Sequence, residues 1–166
     1  MKILFCVGQP EATGQYGRSR AVQGLCRGLR RLGHAAHVLT VDDAEQVRLR
    51  EEGWEGIDRA RSFPFFGYGG HLQSVLLANR ACERLWELWD TMGPFDLVVA
   101  CDWAAGLAGS AAKRAFGAPL VAHLFGTVAA RRDGVASPED RYAAEMESWL
   151  ARESDAVLVP SASARA

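Results

Sequence analysis

The sequence predicts an α/β fold, a doubly wound, mainly parallel, Rossmann-like sheet of about six strands. Three observations predict it. Short apolar runs without alternation recur at Lys2–Val7, Ala36–Val41, Phe95–Cys101, Pro119–Leu124 and Ala156–Val159, as expected of strands buried on both faces. Stretches of helical period separate most of them. Glycine or proline closes nearly every stretch, at Gly33, Gly93-Pro94 and Gly117. At 166 residues the chain reads as a single domain, 1–166, long enough to bury a real core.

The elements follow in order. Lys2–Val7 is a central strand. Gly8 to Arg18 is a loop, and Arg18–Leu32 a helix with Ala21, Val22, Leu25, Leu29 and Leu32 on its inward stripe. Gly33 sits where a helix C′ residue is expected, and Ala36–Val41 completes a βαβ unit. Asp42 to Ser62 is charged and irregular, a surface excursion with one short helix, and Arg61–Phe65 adds a short strand. Phe63 to Gly70 is rich in aromatics and glycine. It is either a binding loop or core aromatics punctuated by glycine.

His71–Met92 is a long helix with Leu72, Val75, Leu76, Cys82, Leu85, Trp86 and Trp89 at helical spacing. Phe95–Cys101 is the next strand and Trp103–Phe116 an alanine-rich helix, in which Gly106 and Gly109 allow close packing on the sheet. After Pro119–Leu124, Arg131 to Val135 is a polar loop. Ser137 is a good N-cap, with Pro138 at N1 and Glu139 and Asp140 in the first turn of a helix through Leu150. Ala156–Val159 is the last strand.

Composition excludes several classes. A net charge of −1 gives nucleic acid and anionic membrane surfaces nothing to bind. Arg27, Arg30 and Arg31 fit a solvated helix end, where cations suit the dipole. Cys6, Cys26, Cys82 and Cys101 form no C-x-x-C pair and no His spacing suggests zinc, so neither metal nor cofactor is expected. Buried reduced thiols fit a cytoplasmic protein. The chain enters a strand directly, without a signal-like segment, and no apolar run reaches the ~18 residues of a membrane span.

In an open parallel sheet, ligands bind beyond the carboxyl ends of the strands. Those ends are Gly8 to Arg18, Asp102-Trp103, Phe125-Gly126-Thr127 and Ser161. The first loop, with Gly14, Gln15, Tyr16, Gly17 and Arg18, joins glycine backbone to a helix N-terminus, which favours a polar or anionic guest. Asp102 can accept hydrogen bonds from sugar hydroxyls or cap the next helix, and the two roles are compatible. Trp103 can offer a stacking face or fill core. His123 reads as a satisfied core histidine, and Glu145 and Glu147 as solvent-facing, with one of them able to turn to the cleft. The dinucleotide fingerprint G-x-G-x-x-G is missing from Gly8 to Gly17, which counts against a nicotinamide or flavin protein, although Asp42 or Asp43 ends the second strand. A P-loop and a receiver-type acid pair are absent too.

Four motifs in order, the first of them in two parts, resemble the N-terminal domain of GT-B glycosyltransferases, closest to glycosyltransferase family 4 and the glycogen synthases. Lys2-Ile-Leu-Phe with Pro10, Gly14 and Gly17-Arg18 is similar to the family's first strand and loop. Leu32-Gly33-His34 through Val38-Leu39-Thr40 is similar to its Arg-Gly-His-x-Val element. Asp96-Leu97-Val98-Val99 with Cys101-Asp102-Trp103, and Gly117-Ala118-Pro119-Leu120-Val121 with Phe125-Gly126-Thr127, resemble its Asp-Trp and Gly-Thr strand ends. Glu147 through Asp155-Ala156-Val157 to Pro160-Ser161 resembles its closing segment. Cys101 and Phe125 stand where many members carry histidine.

The resemblance implies the acceptor-side domain of a hexosyltransferase-like enzyme of carbohydrate metabolism, acting with retention on a nucleotide-sugar and a glycan or small-molecule acceptor. It implies that Gly14 to Arg18 lie under the donor phosphates and that Asp102, Trp103, Gly126 and Thr127 line the acceptor side, with Asp102 the candidate for chemistry. It also implies a donor-binding C-terminal domain outside residues 1–166, so that this chain alone is expected to be inactive. The alternatives are one subunit of a split glycosyltransferase, or a non-catalytic Rossmann-like scaffold, with a homo-oligomer through the exposed cleft face as a further expectation.

Overall fold

The architecture follows from how each strand is buried. The structure, a computed structural model, describes residues 1–8, 16–42, 57–61, 70–131, 135 and 137–160. Six described strands, β1 (Lys2–Val7), β2 (Ala35–Asp42), β3 (Ile57–Arg61), β4 (Leu97–Cys101), β5 (Leu120–His123) and β6 (Ala156–Leu158), form one parallel sheet in the order β3-β2-β1-β4-β5-β6. Helices α1 (Tyr16–Arg31), α2 (Gly70–Met92), α3 (Gly106–Phe116), α4 (Val128–Arg131) and α5 (Pro138–Glu153) flank it, with a 3₁₀ turn at Trp103–Ala105 before α3.

This order has a mechanical consequence. Crossovers between parallel strands are right-handed, so the connections either side of β1 run in opposite directions and load opposite faces. Alternate residues of β1 divide accordingly. Ile3 and Phe5 join Val22 and Cys26 of α1, while Leu4 and Cys6 join Leu85 and Leu88 of α2, Ala108 and Ala112 of α3 and Leu150 of α5. The order reverses between β1 and β4, where a crevice opens beyond the strand ends.

Several local predictions hold for the stated reasons. Gly33 has φ 82°. Its N–H donates to Arg30 O at 3.0 Å and the His34 N–H to Leu29 O at 3.0 Å, the paired bonds of a Schellman stop. Ser137 Oγ accepts from Asp140 N at 3.0 Å while Asp140 Oδ2 accepts from Ser137 N at 3.1 Å, a reciprocal capping box. Gly109 lies so close to β4 that a Cβ there would stand 2.7 Å from Ala100 Cβ.

Others are corrected. The inward stripe of α1 runs through Val22 and Cys26 to Leu29, whereas Leu25 is 40% and Leu32 74% exposed. The leucines misled because Cys26, four residues after Val22, is the smaller apolar group that fits against the sheet. Trp86 is 65% exposed, and its place on α2 is taken by Ala78, Ala81, Leu85 and Leu88. Trp89 instead stacks on Phe116 with centroids 5.1 Å apart. The third described strand is Ile57–Arg61, inside the stretch expected to be irregular, because an edge strand needs no continuous apolar run and Ile-Asp-Arg-Ala-Arg pairs with β2 along Val38↔Ile57 to Asp42↔Arg61; the expected strand Arg61–Phe65 lies, after Arg61, outside the described residues. Gly106 faces the Leu150 methyls and Trp149 of α5 rather than the sheet.

Candidate functional site

The reversal between β1 and β4 brings Val7-Gly8 beside Cys101-Asp102. Val7 pairs with Cys101, and Cys101 with His123. Gly8 meets the turn after β4, where a Cβ would lie 3.1 Å from Ala104 Cβ, so this end of β1 is pressed against the 3₁₀ turn.

Asp102 is the most unusual residue of the described chain. It is 5% exposed, at φ 80° and ψ 164°, a region L side chains rarely enter. Its N–H donates to His123 O at 3.0 Å, and its Oδ1 accepts from Trp103 N at 3.0 Å. The backbone is thus forced to turn sharply where the sheet ends, and the carboxylate is held at the crevice. The cap expected of Asp102 is present, and burial at a strained strand end is the arrangement that recurs at ligand sites. Trp103 is half-buried and meets Tyr142 edge-on, centroids 5.9 Å apart and planes at 89°. Tyr142 also lines an open groove of about 760 Å³ along α5, with Val135, Met146, Trp149 and Arg152.

After β5 the chain passes through Phe125, Gly126 and Thr127 into α4. Thr127 Oγ1 accepts from Ala130 N at 3.2 Å and so caps α4. Glu147 holds the same turn from α5. It is 4% exposed, and its two carboxylate oxygens accept from Val128 N at 3.2 and 2.9 Å. Sequence period alone placed Glu147 toward solvent. The structure turns it inward, because the buried Val128 N–H at the start of α4 needs an acceptor. Glu145 is exposed.

His123 is the second correction. It was expected to be a satisfied core histidine, yet its buried Nδ1 has no hydrogen-bond partner among the described residues. The ring is half-buried and lies against Phe125, centroids 4.0 Å apart. Burial holds its pKa below the usual 6.5, and the nearby Asp102 charge opposes that only in part. No motif pointed to His123, although its place at the last position of a strand, two residues before Phe125, was available as a signal.

The first loop falls only partly within the described residues. Gly14 and Gln15 lie outside the described residues, as do Ser161 and residues 62–69. Tyr16, Gly17 and Arg18 form the first turn of α1 instead of continuing the loop, so the helix starts two residues earlier than expected. The first turn still presents backbone N–H groups without intrahelical partners. Burial keeps the thiols of Cys6, Cys26, Cys82 and Cys101 above their ordinary pKa, with Cys26 pushed up to about 11. Among the described residues no cluster of His, Cys, Asp and Glu is arranged to hold a metal, and no helix is long and apolar enough to cross a membrane.

A family model described as a glycosyl transferase 4-like domain matches residues 17–166. No curated protein matches the chain by sequence. Among solved structures it is similar to UDP-GlcNAc 2-epimerase from Methanocaldococcus jannaschii, with a TM-score of 0.61 and 12% identity over 97% of this chain and 40% of that one. It is similar to MurG from Acinetobacter baumannii, with a TM-score of 0.57 and 16% identity over 96% of this chain and 41% of that one. It is also similar to HepE from Anabaena, solved in complex with UDP and glucose, with a TM-score of 0.56 and 21% identity over 96% of this chain and 37% of that one. The chain therefore spans about two fifths of the length of these structures, which share its fold.

Proposed function

The chain belongs to the glycosyl transferase 4-like domain family, and from that premise we propose that it is the acceptor-side domain of an enzyme moving a sugar from a nucleotide-sugar to an acceptor. The observation that carries this reading is Asp102, a buried carboxylate on a strained backbone at the sheet's reversal point, with Trp103 beside it. A carboxylate accepts hydrogen bonds from sugar hydroxyls, and an indole face takes the apolar face of a sugar ring. Both are fixed before a ligand arrives, which lowers the entropy cost of binding one.

In this reading the acceptor lies over Asp102 and Trp103, bounded by the Gly126-Thr127 turn that Glu147 and Thr127 hold in place. The first turn of α1, with Gly17 and Arg18, faces the donor phosphates, and Gly14 and Gln15 complete that loop. In the transfer the acceptor oxygen bonds to the anomeric carbon, the bond from that carbon to phosphate oxygen breaks, and the nucleotide leaves with the electron pair. The acceptor proton passes to a base or to the leaving phosphate. Transfer with retention, and a second, donor-binding domain or partner subunit that supplies most of the nucleotide contacts, belong to the same proposal.

The test is direct. The purified chain is offered nucleotide-sugars and monosaccharide acceptors, alone and together with a donor-binding Rossmann-like domain. Transfer only in the combined sample, and reduced by Asp102→Asn, supports the reading. Turnover by the chain alone overturns its incompleteness, and conversion of the nucleotide-sugar without any acceptor favours an epimerase-type reaction instead.

A further inference from the structure

Two polar atoms of the described core are buried without a partner on the face of the sheet that carries α1, Thr40 Oγ1 and His123 Nδ1. They belong to one row across the strands, because Thr40 pairs with Val7, Val7 with Cys101 and Cys101 with His123. Thr40 is 3% exposed and enclosed. His123 differs, since its ring is only half-buried. With Nδ1 turned into the protein, Nε2 occupies the other edge of the ring, and no described residue bonds to it.

A buried N–H without an acceptor is rarer and costlier than an acceptor with a spare lone pair. The proton of the neutral ring therefore belongs on Nε2, the accessible edge. Phe125, packed against the imidazole at 4.0 Å, stops the ring turning over. The backbone is pinned as well, through the Asp102 N–H that donates to His123 O at 3.0 Å. The result is a donor fixed at the carboxyl end of β5, one strand from Asp102, which is an acceptor.

We infer that His123 is a specificity-determining residue that presents Nε2–H to a sugar hydroxyl oxygen, so that Asp102 and His123 read the same ligand as acceptor and donor. The inference rests on the acceptor-side reading above. Its chemistry selects a neutral polyhydroxyl ligand, because a hydroxyl can answer a carboxylate and an N–H at once whereas a phosphate oxygen can only accept.

The experiment uses the whole chain with nitrogen-15 histidine, followed by imidazole nitrogen–proton correlation, with His123 identified by its loss in His123→Gln. Glucose, galactose, mannose and N-acetylglucosamine are added singly at millimolar concentration, and UDP separately. The expected result is an Nε2–H tautomer in the free protein and a His123 shift with at least one sugar. His123→Phe weakens that sugar about fivefold, the size of one neutral hydrogen bond. His123→Gln, whose amide nitrogen replaces Nε2, stays within about twofold, and His123→Asn, whose amide replaces Nδ1, behaves like Phe. An Nδ1–H tautomer, a response to UDP but to no sugar, or equal losses in Gln and Phe overturns the assignment. A sugar that binds while His123 stays silent removes His123 alone. If no sugar binds the wild-type chain, the acceptor-side reading falls and this inference with it.

Discussion

Asp102 offers a sharp test because its backbone and its side chain pull in opposite directions. At φ 80° and ψ 164° a residue with a Cβ pays about 1–3 kcal/mol, which glycine does not. Replacing Asp102 by alanine or by glycine removes the same acceptor from Trp103 N, at 3.0 Å, so that loss cancels between the two variants. Glycine pays about 0.5–1 kcal/mol more than alanine in unfolded-chain entropy. The difference leaves Asp102→Gly more stable than Asp102→Ala by roughly 1 kcal/mol, or about 2–4 °C in Tm for a chain of this size. At ordinary helix and strand positions the order is reversed. Thermal denaturation of the two variants, followed by circular dichroism, measures it. An alanine variant that melts at or above the glycine variant refutes the claim that Asp102 is strained, and with it the argument that the fold tolerates that strain for a ligand. Both variants are expected to lose sugar binding.

Four further outcomes follow from the same geometry. Glu147→Ala leaves the buried Val128 N–H without its two acceptor oxygens and costs about 2 kcal/mol, whereas Glu147→Gln keeps one oxygen and costs less than half; melting curves and exchange of the Val128 amide check both. Gly109→Ala forces a Cβ to 2.7 Å from Ala100 Cβ and destabilises by about 1–3 kcal/mol, but Gly106→Ala meets side-chain atoms of Leu150 at 3.3 Å and Trp149 at 3.4 Å and costs less, so equal Tm changes would contradict the packing. His123 titrates near 6.5 when unfolded and lower when folded. Below pH ~6.5 the unfolded chain therefore holds more protons, and stability falls as pH drops toward the folded value. His123→Gln flattens that part of the Tm–pH curve, and an unchanged slope assigns the pH dependence elsewhere. At pH 8 a disulfide reagent is expected to label Cys6, Cys26 and Cys101 only as fast as the fold opens, with Cys82 the quickest of the four; immediate labelling of Cys101 would show that it is not buried.

The centre of the sheet was legible because β1, β4 and β5 are largely buried and read as unbroken apolar runs; β6 reads the same way, yet as an edge strand it leaves Val157 43% and Leu158 50% exposed, against the expectation of burial on both faces. Helix ends were legible where a side chain or a glycine makes the cap, as at Gly33 and Ser137. The edge strand Ile57–Arg61 was not, since an edge pairs through backbone on one side and leaves little mark in its side chains. Asp102 was legible by position, at the end of a continuous strand, but its φ was not, because aspartate carries no sign of strain as a glycine would. Glu147 and His123 were misread for one reason. Their roles depend on what packs opposite them, Val128 N in one case and Phe125 in the other, and that partner lies on another element or beyond the strand's end.

The central place of β1 also sets a timetable. Its partners are β2, made soon afterwards, and β4, whose leading segment contributes the Asp96 carboxylate that accepts Lys2 N at a separation of 94 residues. At roughly 5–20 residues per second on a ribosome, β1 waits on the order of 5–20 s for its second neighbour. During that time one side of an apolar strand is uncovered, with Leu4 and Cys6 awaiting α2 and α3. The seam between β1 and β4 is thus the one that joins the two halves of the sheet, and a nascent chain halted before β4 is a substrate for chaperones before it is a binder of anything else.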